Sequence, residues 1–148
     1  MLKRVLPPTF LYVAIIFIVL LHFIFPIAQI LEIPWNLVGL VPLILGIALN
    51  LMADNAFKRY QTTVKPFQES SALITDGAYR LSRHPMYLGF VLILIGLSLL
   101  LGSISPYIVV IVFAILMDVV FIRVEESMLE AKFQDEWKEY KSKVRRWI

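Results

Sequence analysis

The chain has 148 residues, 59% of them hydrophobic, and its mean hydropathy of +0.80 lies well above the range of soluble domains. It contains no cysteine, which excludes disulfides, thiolate-ligated zinc, a thiol nucleophile and a prenylated C-terminal Cys; with two distant histidines, neither a metal nor a nucleic-acid partner is expected. The net charge of +3 is small, so the placement of the 14 Lys and Arg residues informs more than their excess.

A helix that crosses a hydrocarbon core of roughly 30 Å needs about 20 apolar residues. Met1 to Arg4 followed by an apolar run superficially resembles a signal peptide. A retained span over residues 10–31 is expected instead, because the run continues and no small-residue cleavage motif follows. His22 within it is expected to be packed and hydrogen-bonded rather than a ligand. Residues 35–53 carry no charge and form a second span, joined to the first by the hairpin connection Glu32-Ile33-Pro34.

Residues 54–84 read as a turn-rich linker containing Pro66 and the turn Thr75-Asp76-Gly77, with Asn50 and Asp54 as weak candidates for a polar wall. The uncharged stretch 85–117 would make a helix of about 50 Å, too long for one crossing. The turn cluster Gly102-Ser103-Ile104-Ser105-Pro106 divides it into spans at 86–101 and 107–122. A tail helix over 123–146 follows, with Leu129, Phe133, Trp137, Tyr140 and Val144 along one stripe and charges elsewhere, a pattern suited to a membrane surface. No internal repeat or low-complexity tract interrupts this order.

The expected fold is therefore all-α: one domain, 1–148, an integral membrane bundle of four spans plus a C-terminal amphipathic helix. All 14 basic residues fall before span one, between spans two and three, or after span four. The positive-inside rule then puts both termini and the 54–84 segment in the cytoplasm.

Two polar clusters stand at the cytoplasmic ends of the spans. In the first, "LSRHPMYLGF", Pro85 suits the first turn of a helix because it lacks only an N–H that would be unpaired there. The free N–H groups of that helix end, with Arg83, favour an anionic group, and His84 and Tyr87 lie one turn apart. Gly89 and Gly96 share a stripe where another helix or a ligand could approach closely. In the second, Arg123-Val124-Glu125-Glu126, adjacent acids point about 100° apart, so they cannot both face one pocket squarely. Arg123, three before Glu126, is placed to pair with it, and Asp118, seven before Glu125, shares that acid's face. An acid in the last turns of a span is costly and suggests function. Singly, each residue is equally well explained by helix packing or by a solvated helix end.

Together, Arg83-His84-Pro85-x-Tyr87-x-Gly89 followed after one hairpin by Glu125-Glu126 resembles the signature of the isoprenylcysteine carboxyl methyltransferases and phospholipid methyltransferases, small integral membrane enzymes. "LITDGAYRLSRHPMYLG" is similar to the family's lead-in, and "EESMLEAKFQDEWKEYKSKV" to its tail; the likeness covers about residues 65–144. The family's tail commonly carries proline after the valine matching Val144, where this chain has Arg145-Arg146-Trp147-Ile148.

The resemblance implies a methyltransferase that binds S-adenosylmethionine without a Rossmann fold, and the six glycines indeed form no G-x-G-x-x-G loop. Carried over, Tyr79, Arg83, His84, Pro85, Tyr87, Leu88, Gly89, Glu125 and Glu126 would line the cofactor pocket. Arg123 and Glu125 would be the catalytic candidates, Arg123 facing an anionic substrate group. A prenylated carboxylate would need mainly positioning, whereas a phospholipid amine would need a base such as Glu125, Asp118 or His84. The lipophilic acceptor is expected to lie along the spans beside the Gly89 and Gly96 stripe. The chain is shorter than the family's eukaryotic members, and a prokaryotic cell membrane is the expected location. An NADPH-dependent reductase of the sterol-reductase type, which has a similar helix motif, and a non-enzymatic membrane subunit are the competing readings.

Overall fold

A computed structural model describes residues 6–62 and 70–148; Lys3, Arg4, Lys65 and Pro66, which entered the charge and turn arguments, lie outside the described residues. Regular structure among the described residues is helical apart from one isolated antiparallel bridge between Gln29 and Ser103.

Helix α1 spans Pro7–Ile24 and ends well before the expected limit at residue 31. The cause is Pro26, which has no N–H to donate and disfavours helical geometry at Phe25, where φ is −145°. The chain beyond it pairs with the turn after the third span: Ile30 N–H donates to Gly102 O and Ile104 N–H to Ala28 O. A short 3₁₀ turn, Trp35–Gly39, leads into α2, Leu40–Arg59. This helix runs past the expected end at residue 53, and an ion pair one turn apart, Lys58 to Asp54 at 2.6 Å, lies along the extension.

Helix α3 is Pro85–Leu101, with Pro85 in its first turn as expected. It stops at Gly102, whose φ of +77° is the left-handed conformation that favours glycine, and α4, Pro106–Leu116, begins at the next proline. Here the expected boundary between a fourth span and a separate tail dissolves. A π-helical turn, Met117–Ile122, joins α4 directly to α5, Arg123–Lys143, so that Pro106–Lys143 is one helical run, kinked at Gln134. Among the described residues three helical stretches are long and apolar enough to cross a membrane: Pro7–Ile24, Trp35–Arg59 and Pro106–Lys143; α3, at 17 residues, is shorter.

Helices α2 and α3 pack through glycine on both sides. A Cβ placed on Gly46 would lie 2.5 Å from Gly89 O, and one on Gly96 would lie 2.7 Å from Gly39 O. The two pairs cross in antiparallel order, and the contact leaves no room for a side chain. The space beside α3, expected to accept a lipid chain, is thus filled by α2. The main apolar core joins Leu11, Ala14 and Ile18 of α1 to Leu94 of α3, Phe113 of α4, and Met117 and Phe121 of the π turn.

The tail stripe also has a different partner from the one expected. Trp137 (1% exposed) and Tyr140 (6% exposed) are buried against Ala53, Ala56, Ile74 and Tyr79, so this part of α5 packs on the protein itself. His22 is held as expected, its Nδ1 2.8 Å from Ser103 Oγ. That contact, with Asn36 Nδ2 donating to Leu100 O, gathers the two hairpins at one end of the bundle. The start of α3, the end of α2 and the C-terminal residues meet at the other.

Candidate functional site

The site forms where the residues preceding α3 meet the start of α5. His84 caps the N-terminus of α3 in non-helical geometry, its N–H donating to Ser82 Oγ at 3.1 Å. Its buried imidazole lies between the two acids, with Nδ1 3.6 Å from Glu125 Oε2 and Nε2 3.4 Å from Glu126 Oε1. Two adjacent acids diverge on a helix, and a flat ring wedged between them is a geometry that uses both.

The acids are not equivalent. Glu126, 7% exposed at its side chain, is ringed by cations: Arg83 Nη2 at 2.9 Å, and Arg146 with Nη2 at 2.6 Å and Nε at 3.2 Å. Glu125 accepts the Tyr87 hydroxyl at 2.6 Å and is 23% exposed. Burial alone would lower the His84 pKa, but hydrogen bonding and charge from Glu125 and Glu126 outweigh it and hold the group above its ordinary value. Burial first, and then the charge of Glu125, pushes the Tyr79 phenol far up.

Arg83 extends the cluster toward a half-open pocket lined by Phe57, Ile74, Tyr79, Leu129, Trp137 and Arg83 itself, among others. Its guanidinium lies 5.6 Å from the Trp137 ring centroid. Arg83 Nε and Trp137 Nε1 are buried without a hydrogen-bond partner. A buried donor left unpaired is costly, so two at one site mark a place where a ligand's acceptor atoms would be stabilised.

Of the residues singled out from sequence, Arg83, His84, Tyr87, Glu125 and Glu126 come together, and Tyr79 lines the adjoining pocket. Pro85 and Leu88 are buried in the first turns of α3. Gly89 faces Asn50 and Gly46, so its missing side chain serves the contact with α2. Arg123 does not pair with Glu126. Its Nε lies 2.9 Å from Asp118 Oδ2, and its side chain is 62% exposed.

The π turn is the reason. Its wider winding sets Asp118 one turn before Arg123, five residues on, and removes it from the face of Glu125. Asp118 reaches Arg146 instead, whose Nη1 is 3.2 Å from Asp118 Oδ1. Asn50 donates to Gly46 O within its own helix, and Asp54 binds Lys58, so neither enters the cluster. Sequence reasoning missed Arg146, Ser82 and Trp137 as members of the site. Only its place in the Arg145-Arg146-Trp147-Ile148 ending, where the tail departs from the resembling family's pattern, set Arg146 apart. Among the described residues no group of three His, Asp or Glu side chains is placed to hold a metal.

The profile of one family, phospholipid methyltransferase, matches residues 34–136. The protein-S-isoprenylcysteine O-methyltransferase of Saccharomyces cerevisiae is 38% identical over 113 residues, 74% of this chain and 46% of the yeast protein. That of Schizosaccharomyces pombe is 35% identical over 75 residues, 49% of this chain and 30% of its own. An uncharacterized protein of Haemophilus influenzae is 44% identical over 63 residues, 43% of this chain and all of its own length. The matches span less than half the length of either yeast relative. No solved structure matches the chain significantly.

Proposed function

The chain belongs to the phospholipid methyltransferase family, and from that premise we propose that it transfers a methyl group from S-adenosylmethionine to a lipophilic acceptor at the membrane. The observation that carries this reading is His84 wedged between Glu125 and Glu126, which joins two segments about forty residues apart into one buried polar site. The donor set fits the cofactor. Unpartnered N–H groups on Arg83 and Trp137 suit its acceptor atoms, and the partly exposed carboxylate of Glu125 suits its cationic groups. S-adenosylmethionine, when bound, supplies an electrophilic methyl on its sulfonium. Tyr87 holds Glu125 in place, and the adjoining pocket is walled mainly by apolar side chains.

In this reading α3 is a fourth crossing, about 25 Å long, and both termini with the 54–84 segment are cytoplasmic, where the basic residues gather. The acceptor is ranked by chemistry. A prenylated carboxylate comes first: both yeast relatives are named for that substrate, and a carboxylate is already a nucleophile that needs only positioning. A phospholipid amine comes second, supported by the description of the matching family; Glu125 would take its proton.

The test offers labelled donor to the purified protein with a farnesylated cysteine analogue, with phosphatidylethanolamine, and with chain-free counterparts of each. Label in the farnesylated compound alone is the expected result. Label in the phospholipid alone reverses the ranking, and equal labelling of the chain-free compounds removes the lipophilic acceptor.

A further inference from the structure

The C-terminal residues tie back onto the segment that positions His84. Arg83 N–H donates to Arg145 O at 3.0 Å, and Ser82 Oγ donates to Arg146 O at 3.0 Å. The same Ser82 Oγ accepts the N–H of His84. One hydroxyl therefore links the tail's backbone to the cap of α3, and Trp147 packs against the main core beside it. The tail's side chain completes the tie. The guanidinium of Arg146 grips both oxygens of Glu126 and reaches Asp118 across the π turn.

This contact divides the acid pair. Glu126 has its charge answered by Arg83 and Arg146 on both oxygens and is closed. Glu125, with the Tyr87 hydroxyl on one oxygen and His84 Nδ1 3.6 Å from the other, is open. A two-pronged guanidinium–carboxylate contact fixes direction as well as charge, which a lone ammonium does not.

We propose that Arg146 is a positioning residue: it neutralises and orients Glu126, and so leaves Glu125 as the acid presented to a bound ligand. The second half rests on the methyltransferase reading; the first does not. Removing the positive charge of Arg146 leaves His84 facing a less compensated Glu126. The groups around His84 are Glu125 and Glu126 of α5, Arg83 before it, Tyr87 of α3 and Arg146 of the tail. Of these, only the charge of Arg146 changes in the variant.

The chain has two histidines, so ring NMR signals of His84 are readily separated from those of His22 in protein labelled on histidine. Titrated without ligand, Arg146→Gln is expected to raise the His84 midpoint by about 0.5 to 1 pH unit. Arg146→Lys, which restores the charge, is expected to return it to the wild-type value. Arg145→Gln, which alters a residue bonded here through its backbone carbonyl, leaves it unmoved. An unchanged or lowered midpoint in Arg146→Gln, or an equal shift in Arg145→Gln, overturns the proposal. Should Arg146→Gln not fold, Asp118→Asn turns the full charge of Arg146 on Glu126 and lowers the midpoint; no change there overturns it equally. Calorimetry with S-adenosylhomocysteine addresses the second half. Binding lost in Glu125→Gln supports it, binding retained there overturns it, and no binding to the wild type overturns the methyltransferase reading while the titration still decides the role of Arg146.

Discussion

Gly96→Ala isolates the close packing of α2 against α3. The added methyl would sit 2.7 Å from both Gly39 O and Leu43 N, and 2.8 Å from Leu43 Cβ. Two of these neighbours are backbone, so no side-chain rotation relieves the clash. To restore an ordinary contact of 3.4 Å or more, α2 must draw away from α3 along this face. Inserting a methyl group into a packed interface costs about 1 to 3 kcal/mol, and the rigid neighbours here argue for the upper part of that range. Gly89→Ala differs in kind, because one of its neighbours is the Asn50 amide, which Asn50→Ala removes, whereas the other is Gly46 O at 2.7 Å. Reversible unfolding in mixed detergent micelles, followed by tryptophan fluorescence, gives both numbers. Gly96→Ala should be destabilised in full, and Asn50→Ala should rescue Gly89→Ala only in part. A Gly96→Ala protein as stable as wild type would refute the close helix contact, and with it the argument that no lipid chain lies between α2 and α3.

Tyr87→Phe removes the hydroxyl from Glu125 and is expected to weaken S-adenosylmethionine binding by about 1.5 to 3 kcal/mol, roughly ten- to hundredfold, measured by calorimetry. Trp137→Ala empties a fully buried position and should cost about 3 to 5 kcal/mol of stability by the same micelle unfolding assay. For His84 the folded pKa is raised, so the stability it contributes is fully present below the unfolded value of about 6.5 and is lost as pH rises through the folded value. The stability difference between wild type and His84→Gln should therefore shrink toward alkaline pH, and a difference that grows would contradict the assignment. His22→Ala, at the opposite end of the bundle, should leave donor affinity unchanged.

The helices were legible because apolar runs and prolines announce themselves. Pro85, Gly102 and Pro106 set the limits of α3 and α4 as their chemistry requires. Pro26 carried an equally plain signal and ended α1, yet the apolar residues after it had suggested that the helix continued. The site was half legible. The Arg83, His84 and Tyr87 spacing and the acid pair were visible, and one glycine stripe was read without its complement, Gly39 and Gly46, also seven residues apart. What remained hidden was non-local or depended on winding. A π turn cannot be seen in a pattern counted at 3.6 residues per turn, so Asp118 and Arg123 were given the wrong neighbours. Nothing in the spacing of Arg146 relates it to Glu126, twenty residues earlier, because the contact is made by a chain that kinks at Gln134 and leaves helical geometry at Val144.

The central claim is that the cluster around His84 holds a methyl donor, and titration calorimetry of the purified protein tests it most directly. S-adenosylmethionine and NADPH are titrated separately into wild type, His84→Ala and Glu125→Ala. Saturable binding of the methyl donor to wild type, weakened roughly ten- to hundredfold in both variants, with no heat from NADPH, is the result expected. Tight binding of NADPH with none of the methyl donor, or donor affinity unchanged in both variants, would contradict it.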